Sequence, residues 1–302
     1  MSVVRTVAGL RDALAPARRA GRRIGLVPTM GALHEGHLSL IRRARAQCEV
    51  VVVSLFVNPS QFNEPVDLER YPRREHDDAS LAAGAGADLL FAPSDEEVYP
   101  PGFATSVAVG GVSESFEGAV RGPAHFRGVA TVVTKLLCMA QPDVAYFGQK
   151  DAQQLVLIRR LVRDLNLPVR IEALPTVREP DGLALSSRNA LLSAGERARA
   201  LALPAALAAA RALAASGERS APALLEAARA AMLPYGVQPE YLALVQPDTF
   251  EPLDELAGEA LLALAARVGE VRLIDNAVLA PGAATKTTER GLQGEAMATC
   301  SA

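Results

Sequence analysis

Short apolar runs with no polar face, set between longer stretches of helical periodicity, restrict this chain more than any other feature. Residues 24–27, 50–57, 89–92 and 144–147 are such runs. A strand with one face in water alternates apolar and polar side chains, so runs apolar on both faces predict strands covered on both sides. Between them, residues 37–48, 129–139 and 153–165 bring apolar side chains back at helical spacing. The alternation predicts an α/β fold, a Rossmann-like parallel sheet with helices on both faces. Such sheets bind ligands beyond the carboxyl ends of their strands, so the residues after each run are where chemistry is to be sought.

A second composition begins after Asn189, where residues 197–215 are rich in alanine and poor in turn formers, and therefore helical. The runs 241–245, 260–266 and 271–274 then read as strands of a smaller C-terminal α/β domain. With 302 residues, half of them apolar, the chain has enough material for two domains, expected at 1–176 and 177–281. Residues 282–302, rich in Gly, Ala, Thr and Glu without an apolar period, are expected to form a disordered tail. A net charge of −3 speaks against the broad basic surface that nucleic-acid binders use, and favours small anionic ligands in a local pocket. Cys48, Cys138 and Cys300 make no CxxC pair, so neither a disulfide framework nor a thiolate zinc site is indicated, and a reducing cytoplasm fits best. No run approaches the roughly 18 uncharged apolar residues of a membrane span.

The polar motifs fall where the sheet predicts them. The first run leads into Pro28-Thr29-Met30-Gly31-Ala32-Leu33-His34-Glu35-Gly36-His37, which puts two imidazoles at a helix N-terminus beside glycines that let a phosphate approach the backbone. The plainer alternative has one histidine capping the helix and the other packing; a zinc site lacks an evident third ligand. Asn58 and Gln61 follow the second run, as amides suited to a hydroxy acid or as ordinary loop polarity. Gly148-Gln149-Lys150-Asp151 follows the fourth, delivering a cation for a phosphate and a carboxylate that either meets ribose hydroxyls or caps the next helix. Ser186, Ser187 and Arg188 form a compact set of phosphate donors, or a solvated turn. Asp77 and Asp78 read first as a solvated helix face or as dipole partners. Glu117, Arg121 and His125 group before an apolar helix, for ion pairing, for an interface or for a pocket.

With these motifs the sequence resembles the pantothenate synthetases, within the nucleotidyltransferase superfamily whose members carry HxGH, here His34-Glu35-Gly36-His37. The resemblance runs on through 56–62, Arg70-Tyr71-Pro72-Arg73, His125 to Val129, 147–151 and Ser186-Ser187-Arg188-Asn189, to about Pro281. It implies ATP and Mg2+, with pantoate and β-alanine as substrates, in a cytoplasmic homodimer. On that resemblance Met30, Gly31, His34, His37, Gly148, Lys150, Asp151, Val177, Ser186, Ser187 and Arg188 hold ATP, of which His34, His37, Lys150, Ser186 and Arg188 act in catalysis. Asn58, Gln61 and Gln154 hold pantoate, and Asp77 and Asp78 help to hold magnesium, directly or through water. Gln149 and Leu185 stand where related sequences often have Glu and Met, and neither removes a proposed catalytic group. Two competitors stay open: an enzyme that makes a dinucleotide-like cofactor, and a nucleotide sensor that keeps the fold without the chemistry.

Overall fold

The computed structural model describes residues 1–62, 68–69 and 71–281; Arg70, Cys300 and the tail expectation for 282–302 lie outside the described residues. The chain opens with strand β1 (Ser2–Val4), helix α1 (Val7–Arg19), β2 (Ile24–Thr29), α2 (Glu35–Gln47) and β3 (Val50–Leu55). It continues through α3 (Glu75–Gly84), β4 (Leu89–Phe91), two short helices α4 (Asp95–Val98) and α5 (Glu117–Arg121), and the long α6 (Pro123–Ala140). β5 (Val144–Gly148), α7 (Ala152–Asp164) and β6 (Arg170–Leu174) complete a parallel six-stranded sheet of order β1-β4-β3-β2-β5-β6. The predicted four strands are its centre; β1 and β6, both at the edges, were not predicted.

Each central strand sends alternate side chains into two separate cores, which is why its run is apolar throughout. Leu26, Val52, Ala145 and Phe147 pack with α1, α6 and α7, while Val27, Val51, Val53, Val144 and Tyr146 pack with α2 and α3.

The C-terminal part comprises α8 (Ala194–Ala200), α9 (Ala202–Ala215) and α10 (Ala221–Met232), followed by strands β7 (Pro239–Val245), β8 (Ala260–Val268) and β9 (Val271–Leu279) in an antiparallel sheet. Antiparallel sheets usually wet one face, yet β8 is buried at every position but Arg267. Its Leu262 and Leu264 join the helices of its own unit, while Leu261 and Ala263 join the core around α6 and α7. The small sheet is therefore a wall shared by two cores. Residues 194–215 are long and apolar enough to cross a membrane, with a mean hydropathy of 1.4, but Ala200, Leu203, Ala206, Leu207 and Ala210 are packed into the C-terminal core.

Candidate active site

The chain steps from β2 to β3 and β4 on one side of the sheet, then returns to place β5 and β6 on the other. The order reverses between β2 and β5, the position beyond whose strand ends such sheets bind ligands. The loop from Met30 to His34 leaves β2 at that point, and the 3₁₀ turn Gln149–Asp151 leaves β5. The two strongest motifs of the sequence thus face each other across the switch point.

The first loop is held open by an acid. Gly31 and Ala32 take left-handed φ values of 89° and 51°, and Asp78 accepts hydrogen bonds from Ala32 N (2.9 Å) and Leu33 N (2.7 Å). A Cβ on Gly31 would lie 2.8 Å from Leu55 Cδ1 and 3.0 Å from the Asp78 carboxylate, so only glycine fits. This corrects the reading of Asp77 and Asp78 as a pair. Asp78 is buried on the loop and Asp77 is exposed, so one acid builds the site from behind and the other faces water.

α2 begins two residues earlier than predicted, with His34 as its N-cap. His34 Nδ1 accepts from Gly36 N at 3.2 Å, and His37 Nδ1 accepts from His34 N at 3.3 Å, a reciprocal capping box built from two imidazoles. Capping and ligand binding are not alternatives here. An Nδ1 that accepts must place the ring proton on Nε2, so each ring keeps one outward N–H donor. Burial, followed by the Lys150 charge, lowers the His34 pKa; burial and then His34 push His37 down to about 3. Both rings are neutral donors at physiological pH.

Opposite them, Lys150 lies 3.6 Å from Asp151, with a fifth of its side chain exposed. Asp151 occupies the N-cap position of α7 but makes no side-chain cap bond, which removes the capping alternative for it. Its surroundings oppose ionisation by desolvation, yet Lys150, Arg188 and Arg121 outweigh this and hold the carboxyl below its usual range. Ser186 caps the 3₁₀ turn Ser187–Leu191 by accepting from Arg188 N at 3.3 Å. Tyr71, which carries no role in the sequence reading, lies near Arg188 and Ser187, and burial raises its pKa. Val177 O accepts from Leu185 N at 2.9 Å, closing the short hairpin that ends in Ser186.

Asn58 and Gln61, expected at the acid pocket, are bonded to each other. Asn58 is fully buried, and its amide is committed to the protein: Nδ2 donates to Gln61 Oε1 (3.0 Å) and Gly128 O (3.2 Å), while Oδ1 accepts from Tyr99 (2.7 Å) and Ser60 (2.8 Å) hydroxyls. Asn58 therefore orients Gln61. With its oxygen pinned, Gln61 presents Nε2, whose partner at 3.0 Å is the weak acceptor Met30 Sδ. His125 Nδ1–H donates to Gln61 O at 2.8 Å, and burial followed by Arg121 lowers its pKa to about 4. Gln154 is half-buried in the first turn of α7, one turn beyond Lys150. Glu117 and Arg121 are ion-paired at 3.2 Å, as in the plainer of the readings for that group.

Among the described residues no three His, Cys, Asp or Glu side chains gather to hold a metal ion. With Asp78 on backbone amides and Asp77 in solvent, the residues present do not fit a protein-held magnesium. Such an ion would instead travel with substrate phosphates.

The pantoate-beta-alanine ligase family matches residues 2–278. A pantothenate synthetase of Cereibacter sphaeroides is 58% identical over 275 residues, covering 91% of this chain and 98% of that protein. The crystal structure of a Thermus thermophilus pantothenate synthetase superposes with a TM-score of 0.87 at 49% identity, over 92% of this chain and 99% of that one. A Francisella tularensis pantoate-beta-alanine ligase, solved as a complex with β-γ ATP and β-alanine, superposes with a TM-score of 0.77 at 34% identity, over 92% of this chain and 97% of that one.

Proposed function

The chain belongs to the pantoate-beta-alanine ligase family, and from that premise we propose that its switch-point crevice joins pantoate to β-alanine through a pantoyl adenylate. The observation that carries this reading is the convergence there of two neutral Nε2–H donors, Lys150 and the Gln61 amide, whose donor meets the weak acceptor Met30 Sδ. The first three suit a nucleotide phosphate and the last a hydroxy acid. ATP enters with Mg2+ on its phosphates. Its phosphates lie between His34, His37 and Lys150, with Ser186, Ser187 and Arg188 closing from the C-terminal side and Asp151 toward the ribose.

In the first step a pantoate carboxylate oxygen attacks the α-phosphorus in line, the bond to the bridging oxygen breaks, and pyrophosphate leaves. The attacking carboxylate is already ionised, so no protein nucleophile is needed and catalysis rests on alignment and on charge at the phosphate oxygens. Neutral imidazoles serve this well: they donate to oxygens that gain negative charge without needing to be protonated first. In the second step the neutral amine of β-alanine attacks the acyl carbonyl and AMP departs. The homodimer and the cytoplasmic setting rest on the family resemblance.

Incubation with MgATP, pantoate and β-alanine, read by mass spectrometry, is expected to yield pantothenate and AMP. ADP in place of AMP would overturn the adenylate chemistry. Labelled pyrophosphate should exchange into ATP only when pantoate is present, an outcome a dinucleotide-forming enzyme would not give.

A further inference from the structure

Asn276, on β9 of the C-terminal sheet, is 5% exposed, and its amide reaches across to the N-terminal unit. Its Nδ2 donates to Gln149 O and to Lys150 O, both at 2.9 Å, while its Oδ1 is buried with no partner among the described residues. Two consecutive carbonyls of the turn that carries Lys150 thus converge on one NH2 group. An amide supplies two hydrogens in a fixed plane, which a hydroxyl or an aliphatic side chain cannot do. Among the described residues the Lys150 ammonium is ion-paired with Asp151 alone, at 3.6 Å, so its placement depends on where the backbone of the turn is held.

The neighbouring residue holds the other phosphate arm. Asp275, 2% exposed, accepts from Arg178 through both guanidinium nitrogens at 2.7 and 2.9 Å, and its Oδ1 also takes the N–H of Asn276 at 2.8 Å. Arg178 pairs with Ala184 at the base of the hairpin that leads into Ser186. Two adjacent residues of one strand therefore fix Lys150 on one side and the approach to Ser186, Ser187 and Arg188 on the other.

We propose that Asn276 is a positioning residue for adenylation, setting the place of Lys150 relative to the Ser186–Arg188 arm through its paired bonds to Gln149 and Lys150. This rests on the role given to Lys150 above. A displaced catalytic cation costs rate far out of proportion to the shift, so loss of the paired donors should slow adenylate formation by about 10–100-fold.

The test compares Asn276→Asp, which keeps the volume but turns a carboxylate toward two carbonyls, with Asn276→Ala, each checked for folding by circular dichroism. Rapid-quench measurement of pantoyl adenylate should show the slowing in either folded variant, while supplied pantoyl adenylate reacts with β-alanine at the normal rate. In a Lys150→Ala background, Asn276→Ala should add nothing further. Normal adenylation in folded Asn276→Ala with slow adenylation in Lys150→Ala overturns the inference alone, as do effects that multiply in the double variant. Normal adenylation in Lys150→Ala overturns the role of Lys150 itself, and the inference with it.

Discussion

A histidine that caps a helix through Nδ1 cannot be protonated there without breaking the cap, and this governs both imidazoles of the site. For His37, whose folded pKa is about 3, the unfolded chain binds the extra proton first. The neutral cap is at its full worth above the unfolded value of roughly 6.5 and loses it as pH falls from there toward the folded value. Nitrogen NMR of the ring is therefore expected to show His37 as the Nε2–H tautomer down to about pH 5, and a ring already cationic there would contradict the capping box. Lys150→Ala should slow adenylation by about 10²–10³, or on the order of 3–4 kcal/mol, while ATP binding suffers less. Single-turnover kinetics in a folded variant decides it. Gln61→Ala should raise the KM for pantoate more than that for ATP; the reverse pattern in titrations would move Gln61 out of the acid pocket. At this scale the placement of the histidines, Lys150 and Gln61 beyond the strand ends was legible, because each follows a strand that periodicity identifies. The internal bonding of Asn58 was not legible, because an amide in a motif does not reveal that Tyr99 and Gly128, distant in sequence from it, bond to it in the fold. Asn276 left no signal, since a polar residue after 271–274 reads as the end of a strand.

Elements meet the site through contacts that a single side chain would spoil. Helix α6 approaches the turn Pro59–Gln61 at Gly128, where a Cβ would fall 2.3 Å from Ser60 O, far inside van der Waals contact. Gly128→Ala must push the turn off the helix, breaking the bond from Asn58 to Gly128 O and releasing Gln61. Overpacking of this kind typically costs about 1–3 kcal/mol. The expected signature is a lowered urea midpoint together with a raised KM for pantoate; an unshifted midpoint would mean that the backbone yields there without strain. The strands the sequence revealed are those buried on both faces, whose runs are unambiguous. β1 has three residues, too few for a period, and β6 spells Arg-Ile-Glu-Ala-Leu on an edge where one side is polar. Helix α2 was placed two residues late because its cap is histidine, outside the usual Ser, Thr, Asp and Asn signal.

The two units of the molecule are joined by a buried charge that no local pattern announces, because its members are 155 residues apart. Glu117 on α5 accepts from both terminal nitrogens of Arg272 on β9 at 2.8 and 2.7 Å, and Arg272 also pairs with Glu240 on β7. The Glu117 and Arg272 side chains are only 9% and 11% exposed, so the pair has left most of its hydration behind. Desolvation opposes the Glu117 carboxylate, but hydrogen bonds and charge from Arg272, with Arg121 behind it, hold its pKa below the ordinary value. Removing one member of a buried pair typically costs about 3–5 kcal/mol, and because Arg272 keeps Glu240, Glu117→Ala should lose stability toward the lower end of that range near neutral pH. The sign with pH follows from the lowered pKa. The ion pair contributes fully above the unfolded value of roughly 4.3 and loses its contribution as pH falls through the lower folded value. The stability gap between native protein and Glu117→Ala should therefore be widest near neutrality and narrow progressively below about pH 4. Denaturant titrations of both proteins across that range give the gap, with the His34 and His37 contributions common to both cancelling in the difference and His125, whose pKa Glu117 raises, adding to it as pH falls toward about 4. A gap that stays constant into acid would mean that the carboxylate is not what holds the small sheet against α5. The shared apolar wall of Val245, Leu261 and Ala263 would then carry the junction instead.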